Sequence, residues 1–121
     1  MKYEKAEDIQ NRMKEIVEKL RMEHVKMGDV VCVRSFGSKS RGTIARCHGL
    51  NKVMQLGLDR KGFYILEFLH EKFDRLHEDE KVKIIIHELM HIPLSFGGGF
   101  KYHNYVCERN IEKLFRQFKS F

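Results

Sequence analysis

Val82-Lys83-Ile84-Ile85-Ile86-His87-Glu88-Leu89-Met90-His91-Ile92-Pro93 is the most apolar helix-like stretch of the chain, and its second half carries His87, Glu88 and His91. Residues i and i+4 lie about 40° apart around an α-helix, so both imidazoles leave the same face, one turn apart. Polar side chains in an apolar helix are costly to bury unless something satisfies them. A zinc ion shared by the two imidazoles, with Glu88 beside it as general base, would satisfy all three. That is the mechanical content of the His-Glu-x-x-His spacing. The plainer alternative is a pair of helix histidines with no metal, and seven histidines in the chain raise the odds of a chance match. The flanking sequence favours the metal: helix periodicity around the motif, a helix stop just after it, then further donors.

Working outward, Glu78 is the expected start of this helix. Asp79 and Glu80 then fall in the first turn, where negative charge suits the helix dipole. Pro93, the sole proline, ends the helix near Ile92. Gly97-Gly98-Gly99 reads as the point of greatest backbone freedom. A closing helix is expected from about His103 to Lys119, with Val106, Ile111, Leu114, Phe115 and Phe118 as its apolar face. Toward the N-terminus, residues 3 to 24 read as an amphipathic helix with the stripe Ile9, Met13, Ile16, Val17 and Leu20. Gly28-Asp29 breaks it. Val30 to Phe36 reads as a strand, Gly37 to Gly42 as a loop, and Thr43 to Cys47 as a second strand completing a hairpin. Residues 50 to 58 suit helix or strand equally. Arg60-Lys61-Gly62 is a turn, and Phe63 to Phe68 a further strand. The expected fold is α+β: an N-terminal helix, a small mixed β-sheet, the motif helix and a C-terminal helix, in one domain over residues 1–121.

The bulk numbers set bounds. With 121 residues, 42% of them hydrophobic and 33% charged, the chain can build one core and is not of disordered composition. No apolar run reaches the length of a membrane span, so no membrane partner is expected. The N-terminus has no apolar secretory stretch, and Cys32, Cys47 and Cys107 are an odd set without a Cys-x-x-Cys pair. Both points place the chain in the cytoplasm with reduced thiols. The net charge of +6 admits a nucleic-acid or other acidic partner without requiring one.

Two histidines are too few for catalytic zinc, which takes three protein ligands and leaves a position for water. The third must come from beyond Pro93. His103 leads, with Glu108 and Glu112 as rivals. In the expected chemistry, zinc lowers the pKa of bound water toward ~7 and polarises a carbonyl. Glu88 takes the water's proton and passes it to the leaving amine. Tyr102 and Tyr105 are the candidate donors to the oxyanion. His24, His48, His70 and His77 have no ligand spacing and read as surface or supporting residues.

The stretch HELMHIPLSFGGGFKYH, residues 87–103, resembles the signature of zincin metallopeptidases of the SprT-like and predicted phage and archaeal group. In that group the motif helix is followed by a short glycine-containing turn and a third histidine. The lead-in from Tyr64 to Leu76 and the segment Val33 to Ser38 are similar to the same group, so the resemblance covers most of residues 30 to 118. It implies a zincin-like fold, one zinc ion per chain, ligands at His87, His91 and His103, catalysis by Glu88, and a protein or peptide substrate.

Arg34, Lys39, Arg41 and Arg46 surround the loop at Gly37 to Gly42, where they are candidate phosphate contacts for DNA. The plainer alternative is a solvated hairpin tip, since no aromatic stacking pattern accompanies the charges. Three functions compete: a zinc-dependent peptidase, possible on DNA-associated proteins; a zinc hydrolase acting on nucleic acid; and a non-catalytic zinc-binding regulatory module. Glu88 beside the first histidine favours the peptidase.

Overall fold

The computed structural model describes all 121 residues. It is α+β, with helices packed on a mixed sheet. The chain opens with β1 (Lys2–Lys5) and α1 (Glu7–Lys19), followed after a 3₁₀ turn by β2 (Val30–Phe36). Next come β3 (Ala45–Gly49), α2 (Lys52–Gly57), β4 (Tyr64–Leu69) and the short α3 (His70–Phe73). The chain closes with α4 (Glu78–Met90) and α5 (Glu108–Lys119).

The expected first helix is real but shorter at both ends. Ile9, Met13, Ile16 and Val17 are its buried face. Lys2–Lys5 forms a strand instead, antiparallel to β2, with Lys2 opposite Phe36 and Lys5 opposite Val33. All four of its side chains are exposed, which suits a charged edge strand. The helix begins where Ala6 enters the core. Where β1 ends, the Gln10 amide continues the ladder: its Nε2 donates to Val30 O at 2.9 Å and its Oε1 accepts from Cys32 N at 2.7 Å.

The expected hairpin between β2 and the following strand does not form. The sheet order is β1-β2-β4-β3. β4 runs parallel to β2 (Val30 beside Tyr64), and β3 pairs antiparallel to β4 on its far side (Ala45 opposite Phe68). Burial explains the order. Five of the six β4 residues are buried, as a central strand requires, whereas β3 alternates half-buried and exposed positions and takes the edge. The ambiguous stretch at residues 50 to 58 is the α2 helix, capped by the Asn51 side chain accepting from Met54 N at 2.8 Å.

The core lies between one face of the sheet and α1 and α4. Met13, Ile16, Tyr64, Leu66, Phe68, Ile85, Ile86 and Leu89 are among its largest fully buried members. At one margin Arg34 ties three elements together: it donates to Asp8 at 2.6 and 2.7 Å and to Asp74 at 2.9 and 2.8 Å. These hydrogen bonds hold the Asp8 carboxyl below its usual range. Removing one partner of a fully buried pair costs roughly 3–5 kcal/mol, and an exposed pair contributes only ~0–1 kcal/mol. The Arg34 side chain is 20% exposed and that of Asp8 66%, so the value falls between. Arg34→Met is expected to lower unfolding free energy by about 2 kcal/mol in urea titration.

Candidate metal centre and cleft

α4 starts as expected at Glu78, with Glu78, Asp79 and Glu80 in its first turn. Val82, Ile85, Ile86, Leu89 and Met90 form the buried face. His87 and His91 leave a different face and are only half-buried, at the point where Pro93 stops the helix.

The segment after Pro93 returns to this face along a path fixed by hydrogen bonds. The Tyr64 hydroxyl donates to Gly99 O at 2.7 Å and accepts from Gly98 N at 2.8 Å. The Gln55 amide donates to Gly97 O at 2.9 Å and to Leu50 O at 2.7 Å. The glycine run is therefore a stapled turn rather than a free hinge. Its middle glycine serves close approach: Gly98 has φ +96°, and a Cβ there would sit 2.1 Å from Leu50 O. Tyr64→Phe would orphan the Gly98 N–H and the Gly99 carbonyl. It is expected to cost about 1–3 kcal/mol of stability by urea titration, and to weaken metal binding by loosening the loop that follows.

That loop is then clamped to the helix end. Lys101 N donates to His91 O at 2.8 Å, and His91 Nδ1 lies 2.7 Å from Lys101 O. A carbonyl can only accept, so Nδ1 carries a proton and Nε2 is the ring nitrogen left to ligate. Two residues on, His103 reaches the same face. It sits in a turn closed by Tyr105 N donating to Tyr102 O at 3.0 Å, and not in the closing helix, which starts at Glu108. The ring centroids of His87, His91 and His103 are 5.0, 5.3 and 5.9 Å apart. Each offers a ligand nitrogen, and these nitrogens all lie within 4.8 Å of one another. The rivals are elsewhere: Glu112 accepts from Lys83 at 2.6 Å, and Glu108 opens α5.

Burial tunes the charges. It lowers the His87 pKa, and the neighbouring His91 and His103 lower it further, which favours the neutral, ligating form. Burial pushes the Glu88 carboxyl up to about 7. Glu88 is 6% exposed, and one of its oxygens lies 4.0 Å from His87 Nε2. Three convergent imidazoles with a carboxyl beside them fit a divalent transition metal in donor type and number.

These groups line a cleft of about 340 Å³ whose other wall is the edge strand, through Ala45, Arg46 and Cys47. Burial, with the Glu88 charge adding to it, pushes the Cys47 thiol up to about 12, so Cys47 stays a small protonated wall residue. Tyr102 lines the cleft and is 75% exposed. Tyr105 does not line it; its ring lies 4.5 Å from Lys101 Nζ. The four basic candidates differ in their surroundings. Lys39 and Arg41 are exposed on the loop after β2, Arg34 is held by two aspartates, and Arg46 faces Glu67 at 3.6 Å. His48 pairs with Glu67 at 2.8 Å and His70 with Asp74 at 2.5 Å, both away from the cluster.

Sequence reasoning missed the backbone carbonyl of Lys101, the Tyr64 hydroxyl and the β3 wall. A carbonyl has no sequence signature, and the other two depend on strand order.

Two histidines on one helix face and a third on a folded-back loop, beside a sheet edge, are compatible with a zincin-like metallopeptidase fold. Residues 1–117 match the family described as "Putative phage metallopeptidase", and the chain belongs to that family. No curated protein and no solved structure matches the chain. No helix is long and apolar enough to cross a membrane.

Proposed function

We propose that the chain is a zinc-dependent endopeptidase, with His87, His91 and His103 as the metal ligands and Glu88 as general base. The observation that carries this reading is the convergence of three imidazoles beside a carboxyl held near neutrality by burial. Bound zinc supplies Lewis acidity toward a water and a substrate carbonyl. Glu88 takes the proton of the attacking water and delivers it to the departing amine; a base is most useful when its pKa lies near the working pH. The free side of β3 pairs with an extended substrate backbone and lays its carbonyl along the cleft. Tyr102 donates to the developing oxyanion.

The substrate is an unfolded or extended protein segment, because strand addition needs a free backbone. Arg34 is engaged by Asp8 and Asp74 and Arg46 by Glu67, so the peptidase reading does not depend on a nucleic-acid partner. The test is metal analysis of the purified chain together with cleavage of a denatured protein. One zinc per chain and cleavage that stops with chelator and returns with zinc are expected. A chain that binds zinc stoichiometrically but leaves every unfolded substrate intact would overturn the peptidase in favour of a zinc-binding module.

A further inference from the structure

The cleft does not end at His87. A second cavity of about 430 Å³ opens on the N-terminal side of the same histidine, walled by Ile44, Leu76, Ile84, Val106 and Ile111. Ile44, Leu76, Ile84 and Ile111 pack against the core yet are only partly buried, so each keeps an apolar side toward this space. Helix periodicity explains the alignment. Glu80, Ile84, His87 and His91 follow at i, i+4, i+7 and i+11 and share one face of α4. Ile44 immediately precedes the edge strand, so the cavity flanks the same strand that walls the cleft.

We infer that this cavity is a side-chain pocket that makes the enzyme select a bulky aliphatic or aromatic residue next to the scissile bond; the inference rests on the peptidase reading above. Spacing supports the assignment to a neighbouring residue. Ile84 lies about 4.5 Å along the helix axis from His87, and an extended peptide advances about 3.3 Å per residue. A carbonyl placed at the histidines thus brings an adjacent side chain over Ile84. Six of its eleven lining residues are hydrophobic, the five aliphatic ones and Cys107. Glu80 and Glu108 also line it, while Lys83 is taken up by Glu112 at 2.6 Å, so an acidic side chain is repelled.

Binding tests this separately from chemistry. Zinc-loaded Glu88→Gln protein is titrated with labelled peptides differing at one position: Phe, Leu, Ala or Asp. Phe and Leu peptides are expected to bind roughly 10–100-fold more tightly than Ala, with Asp weakest. Ile84→Phe and Ile111→Phe, which fill the pocket from two different helices, are expected to erase the preference while keeping zinc content and a native unfolding transition. Equal affinity for the Phe and Ala peptides, absence of any peptide binding, or a preference that survives both filled variants overturns the pocket. A clear preference in binding, with wild type leaving the same peptides intact, upholds the pocket and overturns the peptidase.

Discussion

Replacing Glu88 with Gln is expected to cut peptide hydrolysis about 10³-fold, within the roughly 10²–10⁴-fold range of general-base catalysis, while zinc content stays at one per chain. Glutamine has the shape of glutamate and can still hydrogen-bond, but it cannot accept the water's proton. The same substitution has an opposite effect on stability. In protein stripped with chelator, burial holds the folded-state pKa of Glu88 at about 7, against an ordinary value of 4.5. A raised pKa means that its contribution is fully present below about 4.5 and is lost as pH rises through 7. Stripped wild type should therefore lose stability between those values, on the order of 3 kcal/mol. Stripped Glu88→Gln should lack this loss and be the more stable protein at pH 8. Zinc should reverse the ranking, because a cation beside the site stabilises the carboxylate. Activity is read by peptide cleavage and stability by urea titration across pH. Cleavage at the wild-type rate by zinc-loaded Glu88→Gln would remove Glu88 from the mechanism.

Where the sequence was readable, the determinants were local. The stripe Ile9, Met13, Ile16 and Val17 marked α1, the Val-rich run marked β2, and three acidic residues ahead of an apolar run and a terminal proline bounded α4. Strand order was not readable, because Ala45–Gly49 follows the β2 loop in sequence and only burial competition inserts β4 between them. Residues 3 to 5 looked helical because their side chains say nothing about a partner; the edge of β2, far along the chain, decides their conformation. The glycine run looked mobile because composition records freedom and not the Tyr64 hydroxyl that removes it. The histidine pair could be read because helix geometry fixes i and i+4. His103 could be named as a leading candidate but not chosen over Glu108 and Glu112, since a choice needs the fold-back of the chain.

That fold-back makes His103 the most informative of the proposed ligands to remove. His87 and His91 are fixed by the helix itself, whereas His103 is exposed and reaches the cluster only through the stapled glycine turn and the paired bonds between His91 and Lys101. His103→Ala removes one of three protein donors and leaves the rest of the scaffold in place. Loss of a supporting partner around a metal typically costs 10–100-fold in affinity, and loss of a direct ligand should exceed about 100-fold. Its stability without metal should stay close to wild type, since an exposed turn residue contributes little packing. Glu108→Ala and Glu112→Ala should keep full zinc occupancy, because neither carboxylate belongs to the cluster; Glu112→Ala should only release Lys83. Competition with a chromophoric chelator, run on all three variants, reads the affinities directly. Full occupancy in His103→Ala, or its loss in either glutamate variant, would reassign the third ligand and with it the role of the loop after Pro93.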